Sequence, residues 1–233
     1  MIYAVFPTFF AQFPPFFRQH CAPFDYNGRM HPLLAALTQS LDLPSDPCLA
    51  APLFLQYHGY AKTTKHSQAV AAECVRLAQR FGLDPRAAAL AGCLHDVSAV
   101  WPASERLAAA EALGLATLPA EHQHPLLLHQ RLSAVLAEQL FGVSDPAVIA
   151  AIACHTTLRP APAPLDLLLF CADKLAWDQS GPPPYLAEMR AALDDSLHAA
   201  AVVYLRYLWR QRDTLPAVHP LLIESWEYFE IEE

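Results

Sequence analysis

An adjacent histidine and aspartate, His95-Asp96, close the apolar run AALAGCLHDV at residues 88–97. An ionised carboxylate in apolar surroundings is costly unless something pairs with it. A histidine beside it, at the buried end of a helix, makes a metal ion the simplest partner. Four more residues of ligand type follow the same pattern. His66, His129, His155 and Asp173 each have Leu, Ile, Val or Cys three or four residues away, on one helical face. A lone histidine on such a face reads as a hydrogen-bonded core residue. Asp173 resists that reading, because it lies in LDLLLFCADKLAW, where an unpartnered carboxylate is strongly destabilising. Five separate segments turning imidazole or carboxylate inward are better explained by one shared metal centre than by independent accidents. Nitrogen and oxygen donors without a thiolate suit iron, manganese or zinc rather than a structural zinc knot.

Helices must carry these residues. From about residue 52 the pattern is helical throughout. His66, Val70, Cys74, Leu77 and Phe81 make one inward stripe that Gly82 ends. Asp84-Pro85 starts the next helix as cap and first residue, running through Ala91 to Asp96. Pro102 and Ser104 open a short helix that Gly114 closes, and the loop LATLPAEHQHP follows. One helix is expected from Pro125 to Phe141, with His129, Leu132, Leu136 and Leu140 on one side. Ser144-Asp145-Pro146 caps another, with Val148, Ile152 and His155 in phase. Past the turn RPAPAP, Leu165–Trp177 carries Leu165, Leu169 and Asp173 in phase. Residues 185–213 read as one long helix, and Pro220 opens a last short one. No internal repeat and no alternating strand pattern persists, so the fold class is all-α.

The composition agrees. The 233 residues are 54% hydrophobic and 16% charged, enough apolar material for a large helical core. The net charge is −8 and the 15 basic residues are scattered, which argues against a nucleic-acid polymer as partner. A small anionic substrate stays compatible, because bound metal ions dominate local charge. Six cysteines without a CxxC pair read as buried hydrophobes in a reducing compartment. No apolar run reaches the roughly 18 residues of a membrane span. The N-terminus has no basic start and is broken by Pro7, Pro14 and Pro15, so cytoplasm is the expected location. Residues 1–51 stand apart as an irregular aromatic and proline-rich extension (FPTFFAQFPPFF) before a functional domain at 52–233. Two readings of it stand: an arm laid on the domain or on a second copy in a homodimer, or a true start at Met30.

The order His66, His95-Asp96, His129, His155, Asp173 resembles the HD-domain phosphohydrolases, and more closely their YqeK-type branch. The matching stretches are KHSQAV at 65–70, AGCLHD at 91–96, LLLHQRLSA at 126–134, FGVSDPAVIAAIACHTT at 141–157, LLLFCADK at 167–174 and HPLLIESW at 219–226. The resemblance implies an HD-type helical bundle and two bound metal ions, often iron, with manganese or another transition metal as alternatives. It implies a dinucleoside polyphosphate as substrate, with diadenosine tetraphosphate split symmetrically into two ADP. One ion would be held by His66, His95, Asp96 and Asp173, and a second by His129 and His155, with Asp96 bridging. His95 and Asp96 would then stand at the catalytic centre, where a hydroxide held between the ions attacks an inner phosphorus.

Substrate contacts are less sharply implied. Arg159 and Lys174 are candidate phosphate cations, and Thr157 or Thr156 candidate hydroxyl donors. The alternative for each is a structural role. His122 and His124 read as surface residues beside the His129 helix, and His219 as the cap of the last helix. Trp101, Trp177, Trp209 and Trp226 are core or rim residues, any one of which could stack on adenine. The chain departs from the pattern of its look-alikes at Ala99 (commonly Lys), at Leu158 (commonly Gly), and at Ala176 and Gln179 in the run after ADK. These departures bear on the specific dinucleotide more than on phosphohydrolysis. Two other functions stay open from sequence: a phosphomonoesterase acting on another nucleotide, and a nucleotide-binding regulator without turnover.

Overall fold

Five helices open with a side chain that accepts a backbone N–H, followed directly by proline. His31, Asp46, Asp84, Asp145 and His219 cap α1 (Pro32–Thr38), α2 (Pro47–Tyr57), α4 (Pro85–Leu94), α8 (Pro146–Cys154) and α12 (Pro220–Tyr228). Proline has no N–H to leave unsatisfied in a first turn, and the cap satisfies the next one. The computed structural model describes residues 30–177 and 180–231, and every regular element among them is helical. The remaining helices are α3 (Ala61–Phe81), α5 (Ala103–Ala112), α6 (Pro119–Gln123), α7 (His129–Gln139), α9 (Pro164–Leu175), α10 (Leu186–Ala192) and α11 (Leu197–Arg210). Short 3-10 turns lie at Val97–Val100, Pro125–Leu128 and Arg212–Thr214.

The core is built on α3, which packs along α4 and α9, while α8 sits against α7 and α9. Val70, Cys74 and Leu77 of α3 meet Ala88, Ala91 and Leu94 of α4 and Leu168, Leu169 and Ala172 of α9, all fully buried. Each fully buried leucine contributes about 1.5–3 kcal/mol. Gly92 sets the closeness of α3 and α4: a Cβ there would stand 2.6 Å from Ala71 Cα. Buried polar clamps add to the packing. Ser98 and Ser133 bond each other, and Ser98 Oγ donates to the His129 carbonyl at 2.9 Å. Arg131 donates to both oxygens of the fully buried Glu121, hooking α6 to α7. Removing one partner of such a pair costs about 3–5 kcal/mol.

Three expectations about elements change. The break expected at 51/52 falls inside α2, whose Ala50, Ala51, Phe54 and Leu55 are buried. Pro52 lies inside this helix. The Phe- and Pro-rich stretch 1–29 lies outside the described residues. The single helix expected over 185–213 is two helices, because Ser196 Oγ accepts from Ala199 N and starts α11 afresh. The helix expected from Pro125 opens with a 3-10 turn before α7 begins at His129. No helix among the described residues is long and apolar enough to cross a membrane.

Gly92→Ala is expected to cost about 1–3 kcal/mol, as overpacking does. Thermal melting checks it, and an unchanged melting temperature would contradict the close α3–α4 contact.

Candidate metal centre

Six side chains from distant parts of the chain meet in one place. His66 comes from α3 and Asp173 from the last turn of α9. His95 and His155 stand just past the ends of α4 and α8, and His129 opens α7. Asp96 follows His95 into the 3-10 turn. Three of the histidines share one local device. Nδ1–H of His95, His129 and His155 donates to the carbonyl three residues earlier, at 2.9 Å to Gly92, 2.6 Å to Leu126 and 2.8 Å to Ile152. A carbonyl oxygen has two lone pairs, so those of Leu126 and Ile152 take this bond in addition to the backbone N–H of His129 and His155. In the neutral imidazole the bond selects the tautomer whose Nε2 is the bare acceptor, turned into the cluster.

Asp96 divides its two oxygens. Oδ2 lies 3.6 Å from His95 Nε2, whereas Oδ1 lies 3.6 Å from His129 Nε2 and 3.8 Å from His155 Nε2. Asp173 Oδ1 is 3.0 Å from His66 Nε2 and 3.6 Å from His95 Nε2. Two donors each about 2.0–2.2 Å from one ion lie roughly 3.0–3.6 Å apart, and all of these separations but the 3.8 Å from Asp96 Oδ1 to His155 fall in that range. The donors fall into two sets that share His95: His66, His95 and Asp173, and His95, Asp96 and His155. His129 adjoins the second set, its Nε2 being 3.0 Å from His155 Nε2.

Two observations test whether this set fits a cation. His95 Nε2 is buried and has no hydrogen-bond partner, which costs about 1–3 kcal/mol if nothing sits there. The Nε2 atoms of His129 and His155, both acceptors in these tautomers, face each other, and they repel without a proton or cation between them. The donors are nitrogen and oxygen only, so the cluster fits first-row transition ions.

Protonation follows the same logic. Burial opposes charge on His95, yet Asp96 and Asp173 hold its imidazole up at about 9. Burial depresses His129, and burial together with His129 and His95 pushes His155 well below the ordinary value. Against burial, His95, His129 and His155 hold Asp96 down to about 2. Lys174, His66 and His95 keep Asp173 well below the usual carboxylate range, again against burial. Both carboxylates are therefore ionised and two imidazoles neutral, as metal ligation requires. His95 holds a proton where a metal ion would sit.

A cavity of about 410 Å³ opens over the cluster, lined also by Lys62, Thr63, Thr156, Trp177, Tyr185 and Tyr204. Of the three expected substrate contacts, only Lys174 reaches it, and its ammonium is already engaged. Nζ lies 2.5 Å from Asp173 Oδ2 and 2.9 Å from the His155 carbonyl, so it steadies two members of the cluster. Arg159 is a correction. Its Nε and Nη2 each lie 2.7 Å from Asp166 Oδ2, and Asp166 is fully buried, so the guanidinium compensates that carboxylate. Thr157 is a second correction. It is buried, and its hydroxyl meets Gln130 and the Leu158 carbonyl. Thr156 takes the place expected of it, with Oγ1 2.9 Å from His129 Nε2.

Sequence reasoning missed Gln130, Tyr185 and Tyr204. Gln130 is fully buried, and its Oε1 accepts from Thr156 N at 3.1 Å, tying α7 to the turn that follows His155. Its signal was available: an uncharged polar residue next to a ligand in a core-facing helix. Tyr204 had none, because it reaches the cavity from α11. Among the departures noted above, Ala99 packs against the core and Leu158 is fully buried at φ 59°. That conformation explains why glycine is the common residue there. Gln179 lies outside the described residues.

Metal loading is expected to release a proton below about pH 9, since His95 must become neutral to ligate. Apparent metal affinity then rises with pH up to that value. Calorimetric titration in buffers of different ionisation enthalpy measures it, and zero release at pH 7 would contradict it. His95→Ala, which removes a donor common to both sets, is expected to lower the bound metal more than His129→Ala, since His129 lies in neither. Metal analysis of the purified variants distinguishes the two.

The HD domain family model matches residues 63–178. A Lactococcus lactis subsp. cremoris protein, described only as an uncharacterized protein in the pepC 5' region, is 38% identical over 136 residues, covering 58% of this chain and 69% of that protein. The symmetrical bis(5'-nucleosyl)-tetraphosphatase of Bacillus subtilis (strain 168) is 27% identical over 139 residues, covering 59% of this chain and 72% of that protein. A crystal structure from Clostridium acetobutylicum, of a predicted HD superfamily hydrolase involved in NAD metabolism, aligns with a TM-score of 0.71 at 26% identity. It covers 77% of this chain and 95% of that one.

Proposed function

The chain belongs to the HD-domain family of phosphohydrolases, and we propose that it splits diadenosine tetraphosphate symmetrically into two ADP. The observation that carries this reading is the divided carboxylate of Asp96 on the wall of an open cavity, one oxygen turned to His95 and the other to His129 and His155. That is the arrangement a paired-metal phosphoryl site needs. The Bacillus subtilis relative, whose name states the symmetrical tetraphosphatase activity, supports the choice of substrate.

His66, His95, Asp96 and Asp173 would hold one ion, and His129, His155 and the shared Asp96 the other. Ions held there supply Lewis-acid charge for phosphoryl oxygens and lower the pKa of water toward neutrality. The rest is done by this chain's own side chains. Asp96 and Asp173 stay ionised against their burial, so the site keeps negative charge for cations before substrate arrives. Lys174 fixes Asp173 from one side, and His66 fixes it from the other. Gln130 and Thr156 hold the His129 and His155 edge of the cluster in register. Preorganised positions of this kind need no rearrangement as charge develops on the departing phosphate.

The test is a product assay on protein purified without air, with its metal content measured. Diadenosine tetraphosphate is expected to give two ADP per molecule and neither AMP nor ATP. Release of inorganic phosphate from mononucleotides, with the dinucleotide untouched, would favour a phosphomonoesterase instead. Asp96→Asn is expected to lose at least about 100-fold in kcat.

A further inference from the structure

Phosphates engaged at a metal cluster leave the base of a nucleotide to be recognised by something else. The chain has four tryptophans, and one of them lines the cavity. Trp101 is buried at 4% exposure, and Trp209 and Trp226 stack on each other with ring centroids 4.8 Å apart and planes within 7°. Trp177 stands on the cavity wall, four residues beyond Asp173, and is 38% exposed.

Its ring is held in place as well as open. The indole Nε1–H donates to the Gly181 carbonyl at 2.7 Å. The ring meets Tyr185 edge to face, at 6.3 Å and 90°. Tyr185 is itself 4% exposed and packs on Tyr204 and Tyr207, at centroid distances of 4.8 Å and 4.9 Å. An aromatic face fixed by its neighbours loses little entropy when a second ring lies on it. Such faces at the rim of a phosphate-binding groove are what base stacking uses.

We propose that the Trp177 indole stacks on the purine base of the nucleotide whose phosphates meet the six-residue cluster. This rests on reading the cavity as a nucleotide phosphohydrolase site. The single polar atom of the indole is spent on Gly181, so Trp177 reads the face of a base and not its edge. It therefore contributes equally to adenine and guanine nucleotides and nothing to a ligand without a base.

The test titrates metal-loaded, full-length protein with ADP, GDP and, as the base-free probe, inorganic pyrophosphate. Tryptophan fluorescence and calorimetry are followed together. Both nucleoside diphosphates are expected to quench the parent protein, and pyrophosphate to bind without quenching. Trp177→Ala is expected to weaken ADP and GDP alike, by about 10- to 100-fold. Pyrophosphate affinity should stay as in the parent, and Trp177→Phe should retain most of the nucleotide affinity. Equal ADP affinity in the parent and in Trp177→Ala would overturn the stacking role. So would an equal loss of pyrophosphate binding, which would mark a collapsed site. Trp177-dependent ADP binding without cleavage of diadenosine tetraphosphate would keep the stacking role and sink the dinucleotide reading. Failure of the parent protein to bind either ADP or pyrophosphate would sink both.

Discussion

Asp96 and Asp173 stay ionised on the wall of a cavity that is only partly open to water, and the cost of that charge shapes what surrounds them. Each carboxylate is answered by imidazoles from other helices, and Asp173 also by Lys174. Three of those imidazoles are anchored: the Nδ1–H of His95, His129 and His155 donates to the carbonyl three residues earlier. That one local bond orients each ring and, in the neutral imidazole, selects which nitrogen faces inward. A cation held here would complete the scheme by pairing acceptors that otherwise oppose one another.

This arrangement depends on helix placement to within a fraction of an ångström. His66 and His95 lie on neighbouring helices whose separation is set by Gly92 against Ala71. His129 and His155 are held in step by Gln130, which spans from α7 to the backbone of Thr156. Arg106 donates to the Leu126 carbonyl, the same atom that accepts from His129. Gln130 and Arg106 thus hold the segments that carry His129 and His155, where satisfied polar partners give rigidity.

Leu158 shows how one departure from the look-alikes is accommodated. A left-handed backbone is unfavourable for leucine by about 1–2 kcal/mol. Its side chain is fully buried, and burial of that size offsets the strain. The departure after Lys174 has a different character. Trp177 brings a large aromatic ring to the cavity rim, where Tyr185 and Tyr204 already form an aromatic wall. There the change alters what the cavity can touch, whereas at Leu158 it alters only how a turn is stabilised.

The helices from α3 onward, the Asp84-Pro85 and Asp145-Pro146 starts and the inward phase of the six donor residues were legible in the sequence, because each rests on local rules: capping chemistry and a period near 3.6 residues. The short α1, α2 and α6 were not, since they lie in stretches that read as an irregular extension and a loop. An ionisable residue repeated in the apolar stripe of helix after helix is itself a local signal, and it pointed to a common centre. The roles of Arg159, Thr157 and Lys174 were not legible, because neighbours in sequence do not say which partner a side chain meets. Asp166 takes Arg159, the Gln130 amide takes Thr157, and Asp173 takes Lys174. The choice of Trp177 over three other tryptophans, and the arrival of Tyr204 from α11, came from packing alone. Side-chain type and period are properties of a short stretch of chain and can be read from it. Which oxygen of Asp96 faces which imidazole is a property of several helices at once, and only their docking decides it.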